Sequence, residues 1–211
     1  TKWEPGVMKA DDLLDRIESF IKQGLDPSSI TLRVDPIIPF VTKMEDVEHI
    51  VKRASGMGIK KVRFSVMDHY PTTSQFMTKL GYDYSKAYNK APDGSYYMHA
   101  KKEVLDVIMT KMATLKDKYG VTLSTCAEPT VATGISKEAC LSVSAVNQLL
   151  GTDISDDMVG KQRKLCSCFG GKTDLLQYDN KCLSTCAYCY AHHNTSRPFN
   201  YYNEDGVLKE N

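Results

Sequence analysis

The sequence has no apolar run of about 18 residues, so it offers no segment that could serve as a transmembrane helix. Its first residues do not join a charged stretch to an apolar one, which removes the pattern of a secretory leader. Charge of neither sign dominates: 27 Lys and Arg face 26 Asp and Glu, a formal net charge of +1. A dedicated nucleic-acid binder would show a broad positive field. Charge therefore does not point to nucleic acid, although a local basic patch stays open. Fixed-period repeats and low-complexity tracts are also missing, which excludes solenoid and array architectures. The expectation is a soluble, cytoplasmic protein with no membrane partner.

What the sequence does have is cysteine. There are seven in 211 residues, an odd number, crowded toward the C-terminus. Without a secretory signal, this distribution favours metal ligation over disulfides. The chain is 42% hydrophobic, enough for one substantial core. The expected organisation is an α/β domain over residues 1–150 and a cysteine-rich, metal-binding segment over residues 151–211.

Hydrophobic periodicity supplies the elements. Leu13, Leu14, Ile17, Phe20 and Ile21 have helical spacing behind Asp11 and Asp12, with Gly24 as a stop. Residues 30–34 form a β-rich run halted by Asp35-Pro36, because proline cannot donate to a strand ladder. Met44, Val47, Ile50, Val51 and Ala54 mark a second helix, and residues 62–66 a second strand. The longest periodic segment, residues 99–119, precedes a third strand at residues 121–125. Strands separated by such helices imply right-handed crossovers and a parallel sheet, open or curled into part of a barrel. Residues 68–97 break the rhythm with six tyrosines. The segment is either a functional insertion or a surface excursion packed by its own aromatics.

In parallel α/β folds ligands sit beyond the carboxyl ends of the strands. That rule selects Asp35, Asp68, and Cys126 with Glu128 as residues expected around one mouth. Each of them would, taken singly, also suit a helix cap or a turn.

Cys182-Leu-Ser-Thr-Cys186-Ala-Tyr-Cys189 is the sharpest signal. Three thiolates at this spacing can hold three irons of a cuboidal cluster and leave the fourth open for a cofactor. A structural zinc site is the competing reading, since Cys-x2-Cys is common to both and zinc would take four ligands. The x3 spacing and Tyr188 resemble the signature of the radical S-adenosylmethionine superfamily, whose aromatic position lies beside the adenine. Cys126, Cys140, Cys166 and Cys168 remain, enough for a second 4Fe-4S cluster or a zinc ion, or else they are small buried hydrophobes. Cys126 is alternatively a hydrogen-atom donor to a substrate radical. His192, His193 and the run Lys161 to Lys164 carry weaker signals, of the kind a solvated face also gives.

Four blocks, Leu32 to Ile37, Thr125 to Glu128, Gln162 to Cys168 and Cys182 to Ala191, stand in the order in which they occur in a bacterial family, domain of unknown function family 1848. The chain resembles that family from about residue 4 to residue 192. The resemblance implies a C-terminal radical-S-adenosylmethionine-like cluster held by Cys182, Cys186 and Cys189. It also implies a parallel-strand partial (β/α) barrel, here an incomplete piece, because family members carry further N-terminal strands. Tyr188, Tyr190 and Arg33 become the expected contacts for S-adenosylmethionine. The implied activity is cleavage of that cofactor to a 5′-deoxyadenosyl radical, which abstracts hydrogen from an unknown substrate near Asp35, Asp68, Cys126 and Glu128. A ferredoxin or flavodoxin would supply the electron. The family is also distantly similar to spore photoproduct lyase, which repairs a DNA lesion by radical transfer. That likeness is fold-level analogy and assigns no reaction. The alternative is a non-enzymatic binding module stabilised by zinc or an iron–sulfur cluster, with nucleic acid as a candidate partner that charge does not indicate.

Overall fold

The computed structural model describes residues 1–129, 131–155, 165–171 and 184–189. The elements in chain order are α1 (Ala10–Lys22), a 3-10 turn at Pro27–Ser29, β1 (Thr31–Ile37), α2 (Met44–Gly56), β2 (Lys61–Val66), α3 (Pro71–Lys79) and α4 (Tyr84–Ala87). There follow α5 (Lys102–Tyr119), β3 (Thr122–Thr125), β4 (Ile135–Lys137) and α6 (Val143–Leu150). None of the described helices is long and apolar enough to cross a membrane.

The chain divides into two compact units. The first combines Thr1–Asp12 and Asp68–Lys101 with the described residues 184–189, and the second combines Leu13–Met67 with the described residues among 102–173.

The second unit is built on a four-stranded, all-parallel sheet in the order β1-β2-β3-β4. The expected three strands are therefore four. β4 escapes periodicity because three residues are too few to show alternation. α2 and α5 pack on one another, and α5 packs on β3. Val47, Val51 and Ala54 of α2 and Leu105, Ile108, Met109, Met112 and Leu115 of α5 are buried together with Val62, Phe64, Leu123 and Ile135 of the sheet. Period-2 alternation accounts for the pattern, since residues two apart along a strand share a face. The apolar positions form the core face. On the opposite face the register aligns Arg33, Arg63, Ser124 and Ser136 in one row across all four strands.

The expected stop at Asp35-Pro36 is instead a bulge inside β1. Val34 pairs with Phe64 and Ile37 with Val66, so three steps along β1 match two along β2. The inserted residue inverts the alternation. Asp35 stays on the face of Arg33, whereas Ile37 turns into the core, where it is 1% exposed. Gly58, which closes the turn from α2 to β2, has φ +89°, and a Cβ there would lie 3.0 Å from the Pro27 ring. Both facts call for glycine.

In the first unit, residues 68–97 are not without structure. They hold α3, which opens on Pro71, and α4, whose N-cap Asp83 accepts a hydrogen bond from the Ser85 N–H. Tyr84 and Tyr88 are buried against His69, and buried Tyr82 packs on Tyr84. Edge-on ring pairs hold them, with centroids 4.8 Å apart for Tyr82 and Tyr84 and 4.9 Å for His69 and Tyr84. The aromatic-packing reading of this segment therefore describes its interior.

Candidate functional site

At the carboxyl ends of β1, β2 and β3 the second unit gathers a charged and thiol-bearing group. Arg33 donates through Nε to Asp35 at 2.5 Å and through Nη1 to the Cys140 sulfur at 2.8 Å. The other Asp35 oxygen accepts from the Ser65 hydroxyl. Cys140 Sγ lies 3.5 Å from Cys126 Sγ, and the Cys140 N–H donates to Cys168 Sγ at 3.3 Å. Cys126, Cys166 and Cys168 are buried, whereas Cys140 is exposed. The hydrogen bond with Cys126 holds the Cys140 thiol well below the ordinary thiol range; burial opposes this, and the Arg33 guanidinium and the charge of Arg63 add to it.

The neighbouring row is a second ion-pair group. Arg63 donates to Ser124 Oγ at 3.1 Å and to Glu138 at 3.0 Å, and Glu138 also accepts from Ser136. The Ser136 hydroxyl first, and then Arg63, keep the Glu138 carboxyl below its usual range, partly offset by burial. Glu128 is placed differently from Asp35. Ala127 has φ +57°, and this left-handed residue precedes Glu128, whose buried carboxylate accepts the Val66 N–H at 2.6 Å. It thereby satisfies a backbone donor at the end of β2, a group that would otherwise cost free energy.

Asp68 and the described part of the cysteine motif, residues 184–189, belong to the first unit. Asp68 Oδ1 is 2.9 Å from His99 Nδ1. In the motif, the Cys189 N–H donates to the Cys186 carbonyl at 3.1 Å, which closes a turn, and both cysteines are partly exposed. The N-terminal residues dock on this turn. Ala187, fully buried, donates its N–H to the Trp3 carbonyl at 2.9 Å, Gly6 donates to the Ser184 carbonyl at 3.2 Å, and the Tyr188 hydroxyl donates to Glu4. Burial first, and then the Glu4 carboxylate, push the Tyr188 hydroxyl above its usual range, so it stays a neutral donor. Cys182, Tyr190, His192, His193 and Lys161 to Lys164 lie outside the described residues.

The structure thus brings Arg33, Asp35, Cys126, Cys140 and Cys168 into one bonded group, with Glu128 at the adjoining strand end. Asp68 belongs to the other unit, with His99. Among the described residues, no group of three or more His, Cys, Asp or Glu side chains is arranged to hold a metal ion. Sequence reasoning missed Arg63 and Ser65, whose signal was the alternation of polar residues on β2, Glu138, which lies just past β4, and Glu4, which carries no local signal at all.

No curated protein and no solved structure shows a significant match to this chain. One family model does match, over residues 1–191 of the 211. The chain belongs to the family described as a domain of unknown function, DUF1848.

Proposed function

We propose that the protein is a radical S-adenosylmethionine enzyme that holds a 4Fe-4S cluster through Cys182, Cys186 and Cys189. The carrying observation is the Cys-x3-Cys-x2-Cys spacing with Tyr188 at its aromatic position. The donor set fits the group: soft thiolates suit iron–sulfur clusters, three of them leave one iron open, and the turn at Cys186 to Cys189 keeps two partly exposed. When bound, such a cluster supplies the electron that cleaves S-adenosylmethionine. The chain's own residues do the positioning. Trp3 and Gly6 fix the backbone of the turn, and Glu4 fixes the Tyr188 ring as a platform for adenine.

The sheet supports the same reading. Strands in sequential order, with α2 and α5 packed on each other and an opposite face lined by Arg33, Asp35, Arg63, Ser65 and Ser124, are what a curled piece of a barrel would present to a ligand. Arg33 would take the cofactor carboxylate on its planar donors only by exchanging its bonds to Asp35 and Cys140 for it. The substrate, an electron donor of the ferredoxin or flavodoxin type and a role for Asp68 and Glu128 near the substrate belong to this proposal.

The test is anaerobic reconstitution with iron and sulfide, followed by dithionite and S-adenosylmethionine. The expected product is 5′-deoxyadenosine, lost in Cys186→Ala. Stoichiometric, non-exchanging zinc in the purified protein, with no cleavage after reconstitution, would instead establish the zinc-stabilised binding module.

A further inference from the structure

We propose that Cys140 and Cys126 form a reactive dithiol that reduces low-molecular-weight disulfides, with Cys140 as the attacking thiolate and Cys126 as the resolving thiol. The inference rests on the second unit alone and does not require a cluster at Cys186 and Cys189.

Three observations carry it. The sulfurs are already 3.5 Å apart, and a disulfide bond of about 2.05 Å is reached by side-chain rotation over roughly 1.5 Å. The pair is asymmetric: Cys140 is exposed, as an attacking group must be, whereas Cys126 is 7% exposed behind it. Finally, the Arg33 guanidinium donates to the Cys140 sulfur at 2.8 Å, which sets a positive charge beside the sulfur that would attack. Asp35 and Ser65 hold that guanidinium in place from the other side. Cys168 has a different role, since its sulfur accepts the Cys140 backbone N–H and is 2% exposed.

The step balances. The Cys140 thiolate attacks one sulfur of the disulfide R–S–S–R′, forming a mixed disulfide and expelling R′–S⁻. Cys126 then attacks the Cys140 sulfur, R–S⁻ leaves, and the Cys126 proton passes to one of the two departing thiolates. Two protein thiols are oxidised to one disulfide while one substrate disulfide becomes two thiols.

The experiment uses the full chain, reduced and freed of reductant under anaerobic conditions, then exposed to hydroxyethyl disulfide. Thiols are counted, and the linkages are mapped by peptide mass spectrometry. The expected result is loss of two thiols with a Cys126–Cys140 linkage, and in Cys126→Ser a stable hydroxyethylthio adduct on Cys140. Arg33→Gln should slow the reaction without moving the linkage. The proposal is overturned if Cys126 and Cys140 stay reduced while other cysteines react. Pairing of Cys140 with Cys168 or with a second chain also overturns it. So does a bound metal ion that shields both thiols, which would return them to the auxiliary metal site. The wild-type map is decisive even if Cys126→Ser does not fold.

Discussion

The two units reach order by different means. The sheet unit follows repeating rules: alternation on β1 to β4, helical spacing on α2 and α5, and a core of aliphatic side chains. The other unit has two short helices and is held by aromatic rings packed about His69 and by a few hydrogen bonds that Trp3 and Glu4 accept and Gly6 donates. Periodic units can lose one contact and keep their pattern, whereas a unit built from individual contacts depends on each one. The protein carries a single tryptophan, Trp3, in the aromatic unit, so its emission reports that unit and far-UV circular dichroism reports mainly the helices.

The largest effect expected is at Phe64, fully buried in β2. Phe64→Ala should cost about 3–5 kcal/mol in urea unfolding followed by circular dichroism, with a smaller shift in Trp3 emission. Equal shifts by both probes would erase the distinction between the units and make them one cooperative block.

Glu128→Ala should cost about 1–3 kcal/mol, because it strands the Val66 N–H in a buried position. Glu128→Gln keeps an acceptor and should recover most of that loss. If the two variants are equally unstable, the hydrogen bond is not what Glu128 contributes.

The aromatic unit should be the acid-sensitive one. Burial lowers the affinity of the His69 imidazole for a proton, opposed by the backbone of Tyr96. The unfolded chain then binds more protons, so stability is full above the ordinary histidine value near 6.5 and falls as pH drops below it, by at most about 1.4 kcal/mol per pH unit. Trp3 emission followed through urea unfolding at pH 7.5 and 5.5 should show this decline, and His69→Gln should flatten it. An unchanged slope in that variant would assign the acid sensitivity elsewhere.

The smallest effect belongs to α6, where the Ser142 hydroxyl accepts the Ala145 N–H at 3.0 Å. Ser142→Ala should cost about 1 kcal/mol. No measurable change would place α6 outside the cooperative sheet unit.

The difference between the units also explains what could be read in advance. α1, α2, α5 and the first three strands were legible because a face recurring over several turns or pairs is a redundant signal. The bulge was not, since Asp35-Pro36 reads locally as a stop and only the pairing of Ile37 with Val66 shows that the strand continues. Cys126 and Glu128 were legible as residues beyond a strand end, whereas Asp35 proved to lie inside one, and the partners of all three were not legible. Cys140 meets Arg33 from 107 positions away, and no spacing rule reaches that far. Tyr88 and His69 pack through ring geometry, which leaves no period in the sequence.

The docking of Trp3, Glu4 and Gly6 on residues 184–188 has a consequence for biosynthesis. Glu4 and its partner Tyr188 are 184 positions apart. At about 5–20 residues per second, a ribosome needs on the order of 10–40 s between making one and the other. Throughout that interval Trp3, Glu4 and Gly6 wait without the surface they bind, while the sheet strands emerge in the order in which they lie side by side. The loop bearing Cys186 and Cys189 is therefore among the last parts of the described chain to acquire its partners.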